Sequence, residues 1–304
     1  MCRIVLEGNF CNKTTKECGM SKKKYAVFTM DVEAFTDTDC VRNSGFNTDI
    51  DMMDGLDEYI RILDKYGIKS TLFTVGQLAS KISDRLRNYI KSGHRLALHG
   101  YEHIPPMSLT VEQFKEHIAR AKRELSELFG IEICGFRAPC FSMDNDRLNV
   151  LKELNFKYDS SHLGFSMARH TVELSMNAFK QLRNGIFCDN GFFEFGLAKQ
   201  KFFGMDFPVS GGGYIRLNNW LVAKNLIKSY LKQNDYYVFY LHPFELTKQR
   251  IPFISSLKSY DKYYLNAGIK SYGKHIEELI QTLIAYDYEF VTFEELADVM
   301  ATSN

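Results

Sequence analysis

Tyr25-Ala26-Val27-Phe28-Thr29-Met30-Asp31-Val32-Glu33 is the stretch on which the fold turns. Tyr25 to Met30 is apolar or β-forming throughout, the mark of a short strand buried on both faces. It runs into two carboxylates at i and i+2, and strand alternation sends Asp31 and Glu33 to the same side. Burying two same-side acids is costly unless a metal, an arginine or open solvent meets them. Taken alone, the same ending also suits a strand that runs out into a solvated turn. The Lys22-Lys23-Lys24 run before it reads as a solvated lead-in.

Outward from this strand the same kind of run recurs at Ser70 to Val75, Arg95 to His99, Glu132 to Arg137, Lys157 to Asp159, Tyr236 to Leu241 and Glu289 to Thr292. Helical patterns fill most of the gaps. Met52 to Tyr66 places Leu56, Tyr59, Ile60 and Leu63 on one face and stops at Gly67. Thr110, with Gln113 three residues later, opens a capping-box helix that runs to Phe129-Gly130. Arg147 to Leu154, Asn219 to Lys232 and His275 to Ala285 complete the set. About seven strands interleaved with helices predict an α/β fold, a distorted (β/α) barrel over residues 23–304 with a largely parallel sheet. Residues 1–22 form a cysteine-bearing extension. Residues 162–215 and 245–270 break the rhythm and read as long loop insertions, the first of them facing substrate.

The 304 residues are 45% hydrophobic and 25% charged, the proportions of an ordinary globular protein. A net charge of +1 supplies no global field for nucleic acid, so no nucleic-acid partner is expected. No run reaches the roughly 18 apolar residues of a membrane span, and Met1 to Cys18 is too polar for a signal-peptide core. A cytoplasmic protein without a transmembrane segment is the expectation. Seven cysteines with no CxxC pair read as reduced thiols, and the spacing of Cys2, Cys11 and Cys18 matches no standard zinc pattern.

Several strand ends carry polar residues. His99-Gly100-Tyr101-Glu102-His103 sets two histidines four apart, which converge on one metal if the turn between them is helical, although histidine pairs are more often hydrogen-bonded surface. A third donor from another strand changes that balance, because two imidazoles and a carboxylate suit a catalytic metal. Gly135-Phe136-Arg137-Ala138-Pro139-Cys140, Tyr158-Asp159-Ser160-Ser161-His162 and Phe239-Tyr240-Leu241-His242-Pro243 end three more strands. A parallel β/α barrel gathers all of these on one rim. Cys140 reads as a packing residue rather than a nucleophile, and His94, His117, His170 and His275 as surface or helix residues. Glu194, an acid among Phe192, Phe193 and Phe195, is placed either on sugar hydroxyls or on an edge strand. Gly211-Gly212-Gly213 reads as a tight loop that brings backbone to the site.

From about Tyr25 to Thr292 these motifs resemble the polysaccharide deacetylases of the NodB-homology type, carbohydrate esterase family four. Asp31-Val32-Glu33 is similar to an opening motif of acid, spacer, acid, and His99 to His103 to the family's HxxxH. Arg137-Ala138-Pro139, Asp159-Ser160-Ser161 and Leu241-His242-Pro243 resemble its later motifs. Pro208 to Leu217 and His242 to Leu246 resemble the branch associated with exopolysaccharide and surface-glycan assembly. The resemblance implies Glu33, His99 and His103 as metal ligands and Asp31 as general base, held by Arg137. It implies His242 as the acid that protonates the departing amine, with Asp159 as the acid that orients His242. It implies the backbone N–H of Cys140, after Pro139, as oxyanion donor, and Tyr101 and Glu194 join these two as candidate substrate contacts. Two departures are Cys140, where an aromatic is common, and Glu33, one methylene longer than aspartate.

The implied activity is removal of an N-acetyl group from an amino sugar during surface-polysaccharide synthesis, with a divalent metal, zinc foremost and cobalt, nickel or iron as alternatives. A nucleotide-linked or lipid-linked sugar is the expected partner. In the lipid-linked case the aromatic segment Phe192 to Phe207 would make peripheral membrane contact. The alternatives are hydrolysis of another non-peptide C–N bond, in a formamide or a ureide, and a glycan-binding homologue without turnover.

Overall fold

A computed structural model describes residues 22–164 and 174–302. Cys2, Cys11, Cys18, His170 and nearly all of the N-terminal extension lie outside the described residues. The strands among them are β1 (Lys24–Val32), β2 (Ser70–Thr74), β3 (Arg95–Leu98), β4 (Gly135–Phe136), β5 (Tyr158–Asp159), β6 (Lys180–Arg183), β7 (Ile186–Asp189), β8 (Phe192–Phe195), β9 (Lys199–Phe202), β10 (Met205–Pro208), β11 (Tyr236–Leu241) and β12 (Tyr288–Phe290).

One curled sheet runs in the order β11-β1-β2-β3-β4-β5-β8-β7-β6, with β12 paired to the start of β1. The seven strands expected from the sequence, β1 to β5, β11 and β12, all pair in parallel, and β8 adds a further parallel strand beside β5. The sheet is a half-barrel. Between β5 and β11 the interval is spanned by single bonds: Leu197 N–H to the His162 carbonyl (2.9 Å), Val209 N–H to the Ala198 carbonyl (3.0 Å) and Tyr240 N–H to the Ser210 carbonyl (2.8 Å).

β1 is buried from Tyr25 onward, and its side chains divide by parity. Ala26, Phe28, Met30 and Val32 join the large core that includes Leu56, Tyr59 and Leu63 of helix Asp54–Asp64. Tyr25 and Val27 join a second core of inward side chains with Phe73, Tyr158, Phe195, Tyr236, Val238 and Phe293. Thr29 and Asp31 continue that inward row, so the strand period itself carries Asp31 to the mouth of the half-barrel.

Local chemistry sets the helices. The Thr110 hydroxyl accepts from Gln113 N–H (3.2 Å) while the Gln113 amide oxygen accepts from Thr110 N–H (2.9 Å), and Gly130 at φ +66° caps helix Val111–Phe129. Residues 162–215 depart from the loop expected of them: β6, β7 and β8 extend the sheet antiparallel to one another beyond β5, and β9 with β10 makes a separate hairpin. Four-residue strands, one of them the polar Lys180–Arg183, are too short for periodicity to reveal. The second interruption likewise contains helix Ser259–Asn266.

Candidate active site

The inward end of β1 meets Arg137, whose side chain is fully buried. Its Nη1 donates to Asp31 Oδ1 (2.7 Å) and Thr29 Oγ1 (2.9 Å), its Nε to the Ser160 carbonyl (3.0 Å) and its Nη2 to Ser160 Oγ (3.0 Å). The guanidinium also lies over the Phe73 ring, 4.1 Å from the centroid. A guanidinium held on so many sides fixes the carboxylate it pairs with, as a bidentate fork does.

Glu33, His99 and His103 are all buried, and one ligand atom from each lies within 4.8 Å of the others. His103 Nε2 is 2.7 Å and His99 Nε2 3.8 Å from Glu33 Oε2. The turn joining the histidines is not helical. Gly100 takes φ +81°, and a Cβ there would lie 2.7 Å from the Glu102 carbonyl oxygen, so the close approach of the two imidazoles depends on a glycine. His99 Nδ1 donates to the Arg137 carbonyl (2.8 Å), which leaves Nε2 with its lone pair toward the cluster. Arg42 reaches His103 from the other side, its Nη1 donating to the His103 carbonyl (2.5 Å) while its Nη2 pairs with Asp39 (2.6 Å). Burial raises the Glu33 carboxyl, but the charges of His103 and His242 outweigh it and hold the group well below the usual carboxylate range. This donor set fits a divalent cation: two imidazoles and a carboxylate, desolvated, with one tautomer fixed by its outer partner.

His242 follows β11, its Nε2 4.0 Å from Asp31 Oδ2. The acid that orients it is not Asp159 but Glu245. Pro243–Leu246 forms a 3-10 turn, and Glu245, three residues on, folds back so that Oε2 accepts from both His242 N–H (3.0 Å) and Nδ1 (3.1 Å). Glu245 Oε1 accepts in turn from Arg216 Nε (2.8 Å), both of these side chains being wholly buried. Burial works against the His242 imidazolium, but Glu33, Glu245 and Asp31 raise its pKa to about 9. Sequence reading singles out 208–217 and 242–246 without a role for Arg216 or Glu245, and it misses Arg42. The spacing of Glu245 after His242, a side chain reaching back to a backbone N–H three residues earlier, is the signal that would have found it.

The remaining candidates are spread over different settings. Asp159 and Glu194 are buried against each other, and Glu194 Oε1 accepts from Ser161 N–H (3.0 Å) and His162 N–H (2.8 Å), so Glu194 holds backbone rather than facing an open cleft. Burial raises both carboxyls, Glu194 far above its ordinary range, because two carboxylates in one dry site cannot both ionise. Tyr101 turns to Arg120, its hydroxyl accepting from Nη2 (2.6 Å) and its ring stacked at 4.1 Å, on the outer side of the turn. Pro139 packs against the Gly100 turn. Cys140, at φ +56°, aims its thiol at Asp39 Oδ1 (3.1 Å), and burial pushes that thiol up. His94, expected as a surface or helix residue, is instead buried just before β3, with Nδ1 accepting from Ser70 N–H (3.1 Å).

The polysaccharide deacetylase family model matches residues 46–158, and the domain of unknown function DUF3473 matches residues 168–298. A peptidoglycan deacetylase of Helicobacter pylori is 26% identical over 107 residues, 35% of this chain, and the chain spans 36% of that relative's length. A Mycobacterium smegmatis structure assigned to the polysaccharide deacetylases superposes with a TM-score of 0.58 at 18% identity, over 93% of this chain and 92% of that one. A carbohydrate esterase family 4 pseudoenzyme from Bacillus anthracis superposes at 0.51 and 11% identity, over 90% of this chain and 66% of that one. At such identities the structural likeness is one of fold, shared by a member without activity. Motif order and the two adjoining family matches agree: the chain carries a polysaccharide deacetylase domain over residues 46–158, followed by a DUF3473 domain over residues 168–298, on a fold shared with solved deacetylases.

Proposed function

We propose that the chain is a metal-dependent N-deacetylase acting on an N-acetylated amino sugar during surface-polysaccharide synthesis, the sugar carried on a nucleotide or a lipid. One observation carries this reading: the metal-suited cluster of Glu33, His99 and His103 accompanies an arginine-held acid, Asp31, two residues before Glu33, and an acid-held histidine, His242, whose Nε2 is 4.0 Å from Asp31. Glu33, His99 and His103 would hold a divalent cation, zinc in the first instance, which would supply Lewis acidity toward an amide carbonyl and activate a water. Asp31 takes the proton of that water as it attacks, its position set by Arg137. The Cys140 N–H faces the charge that develops on the carbonyl oxygen, a role for backbone to which the thiol, turned to Asp39, does not contribute. His242, whose imidazolium is favoured by the Glu245 carboxylate on Nδ1 and by Asp31, gives its Nε2 proton to the amine as the C–N bond breaks, leaving acetate and a free amino sugar. Glu245 and Arg216 hold His242 in the tautomer and orientation this transfer needs.

The test is acetate release from a panel of N-acetylated nucleotide sugars and chitin oligomers, with and without zinc, together with metal analysis of wild type and Asp31→Asn. Asp31→Asn should keep about one metal per chain while the rate falls on the order of 10²- to 10⁴-fold. A chain that binds no divalent metal, or an Asp31→Asn variant as fast as wild type, overturns the reading.

A further inference from the structure

β9 and β10 are joined by a two-residue turn, Phe203-Gly204, between the paired residues Phe202 and Met205. Both turn residues have positive φ, +48° and +80°. Two-residue hairpin turns favour this geometry and place Asn-Gly or Asp-Gly in it, because a bulky side chain is disfavoured in the left-handed region. Phe203 therefore occupies a position that suits asparagine, and packing within the fold does not offset that choice, since the residue is 88% exposed. Beside it Met205 is 70% exposed and Phe202 39% exposed. β9 packs on helix Trp220–Leu231, whose first turn exposes Leu221 and Val222. The expected aromatic segment Phe192 to Phe207 thus divides: Phe192, Phe193 and Phe195 are core residues, and the exposed part is the hairpin tip.

Charge and position add to this. From Lys199 to Lys232 the chain carries five lysines and one arginine against a single acid, Asp206, within a protein of net charge +1. The hairpin is rooted at the rim of the site. Its base runs through Val209 and Ser210 to Gly211, which bridges Tyr240 two residues before His242. A projecting tip of a few apolar side chains is small beside the roughly 800 Å² per partner of a stable protein interface, whereas exposed aromatics on a hairpin whose two lysines, Lys199 and Lys201, share the single acid Asp206 suit the headgroup boundary of an anionic bilayer.

We propose that the Phe202-Phe203-Gly204-Met205 tip inserts into the surface of an anionic lipid bilayer and docks the rim of the site against it. The docking stands by itself; that a docked site would meet a lipid-linked N-acetyl sugar rests on the deacetylase reading.

The experiment is co-sedimentation of the full chain with vesicles of phosphatidylcholine alone or with about a third phosphatidylglycerol, for wild type and Phe203→Asn. Asparagine suits the turn, so the thermal midpoint of the variant should equal or exceed that of wild type. Wild type should sediment with the anionic vesicles, and Phe203→Asn should partition about tenfold more weakly. The proposal is overturned by wild type that ignores anionic vesicles, by a variant that binds them equally well, or by self-association of wild type that Phe203→Asn abolishes, which would give the tip to a second copy. Acetate release from a water-soluble substrate separates the two readings: Phe203→Asn should match wild type, and absence of release from both counts against the deacetylase reading while leaving vesicle binding in place.

Discussion

Glu245→Gln is the sharpest probe of the site, because the structure gives each oxygen of this carboxylate a task. Oε2 accepts from His242 N–H and Nδ1, and Oε1 from Arg216 Nε. An amide offers a single acceptor oxygen, so one of the two partners must lose its bond. His242 sits at about 9 against an ordinary 6.5, a net preference for the imidazolium of about 3 kcal/mol at 1.36 kcal/mol per pH unit, with burial already subtracted. Glu33, Glu245 and Asp31 share that effect, and of the three Glu245 alone hydrogen-bonds the ring. Its removal should withdraw at least ~1 kcal/mol, lowering the His242 pKa by about one unit or more. The assay is an NMR titration of the histidine ring nitrogens in metal-free protein, where the cation does not offset Glu33. His242 raised in the fold adds stability below its unfolded value near 6.5, and that stability is lost as pH rises through about 9; in Glu245→Gln the loss should move to lower pH. Arg216, buried and deprived of a charge, should add a destabilisation of up to about 3–5 kcal/mol. A His242 titration that is the same in both proteins would refute the assignment of Glu245 as the orienting acid.

Three further outcomes follow from other parts of the molecule. Glu194 and Asp159 have raised folded pKa values, Asp159 to about 6, so stability should fall as pH rises through that region; Glu194→Gln, which fixes a hydrogen where the shared proton sits, should flatten the decline in pH-dependent urea unfolding. Gly100→Ala should lower bound metal at least about tenfold by metal analysis, because the new Cβ meets the Glu102 carbonyl and spreads His99 from His103, and it should cost on the order of 1–3 kcal/mol in stability. Cys140→Ser should keep the deacetylation rate within a few-fold, since the thiol points at Asp39 and the proposed contribution is a backbone N–H.

The parts of the fold legible in the sequence are those with strong period or punctuation. The apolar runs of β1, β2 and β11 stand out because both faces of each are buried, and the Thr110–Gln113 box marks its helix to the residue. β6 to β10 escape notice because four-residue strands in an extended hairpin carry too few alternations to separate from loop. In the site, Glu33, His99 and His103 are readable from residue type at strand ends. Tyr101 is misplaced because a turn built on Gly100 swings its ring outward onto Arg120, and spacing does not encode that direction.

From sequence alone came the seven strands β1 to β5, β11 and β12 in chain order and the two acids, Asp31 and Glu33, at one strand end, since these follow from local period; the grouping of Glu33 with His99 and His103 came from the resemblance of the motifs to the family. Tertiary structure decided the electrostatic partners: Glu245 and Arg216 behind His242, Glu194 against Asp159, and Arg42 over His103. Arg216 and Glu245 are 29 residues apart, Asp159 and Glu194 35, and Arg42 and His103 61. A charge buried in a low dielectric takes whichever partner the fold brings within reach, and that choice depends on the packing of distant segments.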